Sequence, residues 1–170
     1  MIQADVITRF GITTERGVMF KWLWQLWQGP VVATAVHPIF GTMELTRIRG
    51  EESWDADCVP FAGRTISVYV NTINSEAPSK KQIAFFHRAS NDETALFQQS
   101  ASVLVPAYER IYGPLPGALG DTFEFVGLGV PLDADPNNPW LLQFETVGGR
   151  YALFTIHFKD GVAERYDHDT

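Results

Sequence analysis

The sequence predicts an α+β fold in which antiparallel β-meanders flank a central helical stretch that packs on one face of the sheet. Three features carry that reading. Residues 31–73 and 123–168 alternate apolar and polar side chains, residues 79–112 repeat apolar side chains at helical steps, and Asp160-Gly161 joins two alternating runs. A chain of 170 residues, 45% hydrophobic and 19% charged, suits a single domain with a sizeable core and is too apolar for intrinsic disorder.

Residues 1–30 form a Trp-rich N-terminal segment. Thr13 and Thr14 suit a helix N-cap, Glu15 complements the helix dipole, and VMFKWLWQLWQ then runs to Gly29-Pro30, a helix stop. A short helix is expected here, while the alternation of Phe20, Trp22, Trp24 and Leu26 also suits a strand.

Residues 31–73 read as a β-meander of VVATAV, TMELTRI, SWDADCV and RTISVYV. The punctuation is His37-Pro38, Arg49-Gly50-Glu51-Glu52 and Pro60-Phe61-Ala62-Gly63. Trp54, Ala56 and Cys58 should share one face, with Asp55 and Asp57 opposite. Ile66, Val68 and Val70 should face the core, with Thr65, Ser67 and Tyr69 outward, as in half-buried antiparallel strands.

Residues 79–112 are expected to be helical. Ser79 with Gln82 and Ser90 with Glu93 have capping-box spacing. Phe97, Ala101, Leu104, Tyr108 and Ile111 make one apolar stripe, which Pro106 should kink or divide. Gly113-Pro114-Leu115-Pro116-Gly117 ends it. Residues 123–168 return to β structure with FEFVGLGV, WLLQFETV and a hairpin of YALFTIHFK and VAERYD. In the hairpin, Ala152, Phe154, Ile156 and Phe158 should form the apolar face, and Tyr151, Leu153, Thr155 and His157 the other.

Charge and cysteine content narrow the function classes. A net charge of −7 with no basic run beyond Lys80-Lys81 argues against nucleic acid, whose binding needs clustered Lys and Arg. A basic protein partner is compatible with it. Cys58 is the one cysteine, so neither an intramolecular disulfide nor a Cys-based zinc site can form. Its strand position suggests a small buried hydrophobe, and a reducing cytoplasm is expected. The N-terminus lacks the pattern of a secretory signal, and the apolar run from Val18 to Trp27 holds Lys21 and Gln25 and is too short to span a membrane.

The chemical motifs are incomplete. Asp133, Asp135 and Asn137 imitate the start of a calcium loop, but Asn138 replaces the turn Gly and Phe144 the bidentate Glu. An Asx turn explains the same residues. His37, His87, His157 and His168 show no metal-ligand spacing, and Asp167, His168 and Asp169 read as a polar, fraying terminus. Gly127-Leu128-Gly129 lacks the third Gly and the helix of a dinucleotide site, and no Gly-x-Ser-x-Gly elbow occurs. No catalytic residue, metal or cofactor is therefore expected. The acidic cluster Glu51, Glu52, Asp55 and Asp57 is the candidate partner-binding site: a turn and one outward strand face would gather these carboxylates on a patch suited to a basic protein.

The stretch HPIFGTMELTRIRGEESWDADCVPFAGRTISVYV, the helix ending VLVPAYERIYG and the closing YALFTIHFKDGVAERYD together resemble a group of uncharacterised bacterial α+β domains. The resemblance runs from about residue 37 to 168 and does not extend to the Trp-rich segment. It implies an immunity or accessory protein of the kind encoded near polymorphic toxins, and it transfers no catalytic residues. The leading expectation is a non-enzymatic immunity protein that occludes a toxin domain. The alternatives are an enzyme or ligand-binding domain with a pocket between sheet and helix, and a structural subunit that oligomerises through residues 18–27.

Overall fold

The computed structural model describes residues 30–48, 50–148 and 151–170. The readings made for residues 1–29, with the Thr13/Thr14 cap and the Trp-rich helix, lie outside the described residues.

Strands β1 (Val31–His37), β2 (Gly41–Ile48), β3 (Glu51–Phe61) and β4 (Arg64–Thr72) form an antiparallel meander. Helices α1 (Lys80–Asn91), α2 (Glu93–Tyr112) and α3 (Leu119–Thr122) follow. A second antiparallel meander comprises β5 (Phe123–Val130), β6 (Trp140–Thr146), β7 (Leu153–Lys159) and β8 (Val162–Asp169). The two meanders join through a parallel β4–β5 pairing, giving one eight-stranded sheet in sequence order. A parallel pair needs a long crossover, and the helices supply it. The fold is α+β and dominated by strands.

Local chemistry explains the elements that place the crossover. Ser79 caps α1 with a full capping box: its hydroxyl accepts from the Gln82 N–H, and the Gln82 side chain accepts from the Ser79 N–H. The buried Gln82 amide also donates to the carbonyls of Asn71 (2.7 Å) and Pro131 (3.2 Å), tying the start of α1 to the exits of β4 and β5. The expected second box at Ser90 does not form. Asp92 occupies the N-cap of α2, and the Ser90 hydroxyl instead accepts from the Ala62 N–H. Nor does Pro106 divide the helix. It removes a single backbone bond on an exposed turn, where water can satisfy the freed carbonyl, and α2 continues to Tyr112.

The helices cover one face of the sheet. Phe85 meets Trp140, Phe86 meets Phe40 and Phe61, Phe97 stacks on Phe144, and Tyr108 packs against Phe123 and Phe154. Leu104 is fully buried, whereas Ile111, expected on the same stripe, is 40% exposed. Phe154, Ile156 and Phe158 are buried and Thr155 and His157 half-buried on the opposite face. Asp160 and Gly161 both adopt positive φ (51° and 72°), the pairing that a two-residue hairpin of this hand requires. The terminus does not fray: β8 pairs with β7 as far as Asp169, and His168 packs on Phe154 and bonds the Tyr112 hydroxyl at 2.8 Å.

The register exposes one error of parity. Trp54 and Ala56 are buried as expected, but Cys58 is exposed. A β-bulge between Ala56 and Val59 places Cys58 at φ 58°, so Val59 and Phe61 take over the core face. The turns are also shorter than expected, because Glu51, Glu52, Pro60 and Phe61 belong to β3 itself.

On the uncovered face, Gly127 and Gly129 lie in β5 opposite Gln143 and Leu141. A Cβ on Gly129 would come within 2.7 Å of Leu141 Cγ. The glycines thus admit large neighbouring side chains on the sheet rather than a nucleotide. Gly129→Ala should cost about 1–3 kcal/mol through overpacking, read by urea unfolding. A loss below about 0.5 kcal/mol would mean that Leu141 has room to move aside.

Candidate functional site

The face away from the helices carries the polar groups. The pairing register sets Glu44, Asp55, Tyr69, Gly129, Leu141, His157 and Arg165 in one row across the sheet. At the β2–β3 end of this row a groove of about 420 Å³ opens, lined by the β1–β2 turn and the start of β2 (Pro38 to Thr42) with Glu44, Asp55, Asp57 and Cys58. Strand alternation puts the carboxylates there: residues 55 and 57 share a face, and Glu44 pairs directly with Asp55. The bulge then turns Cys58 into the groove wall.

Asp55 is the half-buried centre of the site. One of its carboxylate oxygens accepts from the Ser53 hydroxyl at 2.6 Å and the other from the Thr46 hydroxyl at 2.8 Å. Burial pushes its pKa up to about 6 against those two donors, and the negative charges of Asp57 and Glu44 push the same way. Asp57 is exposed and accepts from the Ser67 hydroxyl at 3.0 Å. Tyr69, beside Asp55, is held well above the usual phenol range by burial, with Asp55, Asp57 and Glu145 adding to the shift. Further along the face, burial also raises Glu145, whose carboxylate accepts from the Tyr151 hydroxyl at 3.0 Å.

The acidic cluster expected from the sequence is only partly assembled. Asp55 and Asp57 do share one face, yet Asp55 is not a freely solvated outward charge. Glu52 points to the other side of β3, where Arg47 and the Ser75 N–H bond its carboxylate and hold its pKa below the usual range, the Arg47 hydrogen bond being the larger cause. Glu51 opens β3, six residues from Asp57, which is about 20 Å along an extended strand. The patch expected from Glu51, Glu52, Asp55 and Asp57 therefore splits, and Glu44, unremarked in the sequence, completes the half that remains. Its signal is cross-strand pairing, which no local pattern encodes.

Other candidates resolve into structural roles. Asp133 accepts from the Asp135 N–H at 3.1 Å, and Asp135 from the Asn137 N–H at 2.9 Å, so the oxygens of the calcium-like loop build consecutive Asx turns. His157 pairs with Asp167 across the β7–β8 hairpin at 2.6 Å. Among the described residues, no group of three or more His, Cys, Asp or Glu is arranged to hold a metal ion. The gap between sheet and helix lined by Phe61, Glu93, Leu96, Phe97, Phe125 and Leu142 has no room for a water molecule. Aromatic side chains fill this gap. No helix among the described residues is long and apolar enough to cross a membrane.

Comparison of the chain with protein-family models, with curated proteins and with solved structures finds no match.

Proposed function

We propose that the protein is a binding module, an immunity protein that neutralises a basic toxin domain by seating a cationic side chain of the partner in the Glu44–Asp55–Asp57 groove. The observation that carries this reading is the geometry of that groove. Two exposed carboxylates flank a half-buried one, on the uncovered face of a protein with a net charge of −7. Such a site attracts a Lys or Arg from a distance through the summed field and fixes it locally through hydrogen bonds to Asp55. Immunity function would follow if the seated residue belongs to the active surface of the toxin.

A second reading has one observation in its favour. A carboxylate with a pKa of about 6 beside a groove is also poised as a general base for a small substrate. The two separate by what Asp55→Asn abolishes: turnover of a small molecule, or association with a protein.

Co-expression with candidate toxin domains tests the proposal. The wild-type protein should lift the growth arrest caused by its cognate toxin. The double reversal Glu44→Lys/Asp57→Lys should lose that protection and lower the association rate by about tenfold or more at low salt. The matched double Glu109→Lys/Glu164→Lys changes the net charge equally on exposed positions away from the groove and should protect as well as wild type. Equal protection by both doubles would remove the groove from the interface. Failure to protect against, or bind, any basic toxin domain would remove the function.

A further inference from the structure

We infer that residues 18–27 of this chain dock on the sheet face away from the helices and form a second covering layer over β4 to β7. The first ground is burial. An antiparallel sheet with one open face alternates buried and solvated residues, and strands buried on both faces lie between two layers. Residues 127–130, 142–144 and 152–154 are each buried consecutively, whereas β8 at the edge is mostly exposed. Gln143 is 6% exposed, Leu153 3% and Thr46 2%, and the register points all three away from the helices. Gln143 and Leu141 lie over Gly127 and Gly129 and account for the burial of those glycines. The described helices pack on the opposite face, against Phe144 and Phe154, and cover neither Gln143 nor Leu153.

The second ground identifies the occupant. Eight of the ten residues from 18 to 27 are apolar, among them Phe20, Trp22, Trp24 and Trp27. A stretch this apolar on every side requires burial, whether helix or strand. Charge agrees. Residues 1–29 carry Arg9, Arg16 and Lys21 against Asp5 and Glu15, a positive segment in a chain whose net charge is −7. The face away from the helices offers Asp55, Glu145 and Asp167 in return.

Reach and direction fit as well. The chain enters β1 from Pro30, and Val31 pairs with Thr46, the buried residue nearest that end. β4 to β6 lie three to five strand spacings from β1, about 14–24 Å. Phe20 stands ten residues before Pro30, about 15 Å along a helix. Trp22 stands eight before it, about 26 Å along an extended chain. In either form the aromatic residues reach the middle of the sheet. The groove beside Asp57 lies toward the other end of β2, at Thr42, so this path leaves it open. Docking of the segment is independent of any partner seated in that groove.

Accessibility of position 143 in the full chain, with Cys58→Ser as background, tests this. A thiol introduced by Gln143→Cys should react with a maleimide at least about tenfold more slowly than in the same chain carrying Trp22→Ser and Trp24→Ser, which release the segment. Val162→Cys, on the exposed edge strand, should react equally fast in both. Amide exchange of α2 should match in the two chains, showing that the sheet and its helices persist. Gln143→Lys reads the same contact from the sheet side. It should speed amide exchange in residues 18–27 at least about tenfold and leave α2 protected. Should the tryptophan pair loosen α2 as well, the Gln143→Lys exchange decides alone. Slow modification of position 143 that is indifferent to the tryptophans means that another group covers it, and overturns the inference. So does fast modification in both chains, or exchange of residues 18–27 at the rate of an unfolded chain. Protection that grows with protein concentration assigns the cover to a second copy and overturns it too.

Discussion

Leu104→Ala is expected to cost about 2–5 kcal/mol of folding stability, measured as the shift in urea midpoint at constant slope. Leu104 is 0% exposed and sits one turn before Tyr108, whose ring packs on Phe123 and Phe154 in the first and third strands of the second meander. Removing three carbon and associated hydrogen atoms there opens a cavity between α2 and the sheet. Neighbouring rings cannot collapse into it, because they are held by contacts with one another, Phe123 against Phe154 and Phe125 against Phe144 among them. The loss would belong to the whole sheet rather than to the helix, since α2 packs on β7 and β8 while α1 reaches β5. Ile111→Ala is the internal comparison. At 40% exposure it should lose less than about 1 kcal/mol. Equal losses at both positions would mean that α2 presents a different stripe to the sheet.

The same two residues show what the sequence discloses about this fold. Helical spacing placed both on one stripe, and the structure buries only one, because the real face of α2 is set by Ser100, Leu104 and Ala107 against strands distant in sequence. Period-two alternation was sufficient for Ile66, Val68 and Val70 and for Phe154, Ile156 and Phe158, where neither strand is interrupted before its apolar run ends. It failed at Cys58, where a bulge reverses the parity of β3. A signal for that bulge does exist: the apolar positions step from 54 and 56 to 59 and 61, and a step of three inside a strand implies an inserted residue. The parallel β4–β5 pairing had no local signature, since it depends on how the crossover returns the chain. The groove was half legible for the same reason. Asp55 and Asp57 alternate visibly, but Glu44 and the hydroxyl of Thr46 come from β2, and only register brings them to Asp55.

Asp55 should make the protein less stable at neutral pH than at pH 5, relative to an Asp55→Asn variant. Its carboxyl titrates at about 6 in the folded protein against 3.8 when exposed, so its folded pKa is raised. Below pH 3.8 both states hold the proton and the group contributes nothing to pH dependence. Between that value and about 6 the unfolded chain loses the proton while the folded protein keeps it, so stability falls as pH rises. Above about 6 both are ionised and the penalty is constant, at most about 3 kcal/mol for a shift of roughly two units. Urea unfolding of both proteins from pH 4 to 7.5 isolates this group, because other carboxylates largely cancel in the difference. Parallel curves would place Asp55 in an ordinary solvated environment. A charge kept at a cost to stability points to binding, and the proposed partner supplies the reason. A cation seated in the groove favours the ionised form, so complex formation should lower the pKa of Asp55 and release a proton when it occurs near pH 6. Affinity should therefore fall as pH drops from 7 to 5, by up to about tenfold per unit once Asp55 is protonated in the free protein. The Asn variant should bind more weakly and show a flatter profile over that range. A partner whose affinity for the wild type is flat from pH 5 to 7 does not engage Asp55.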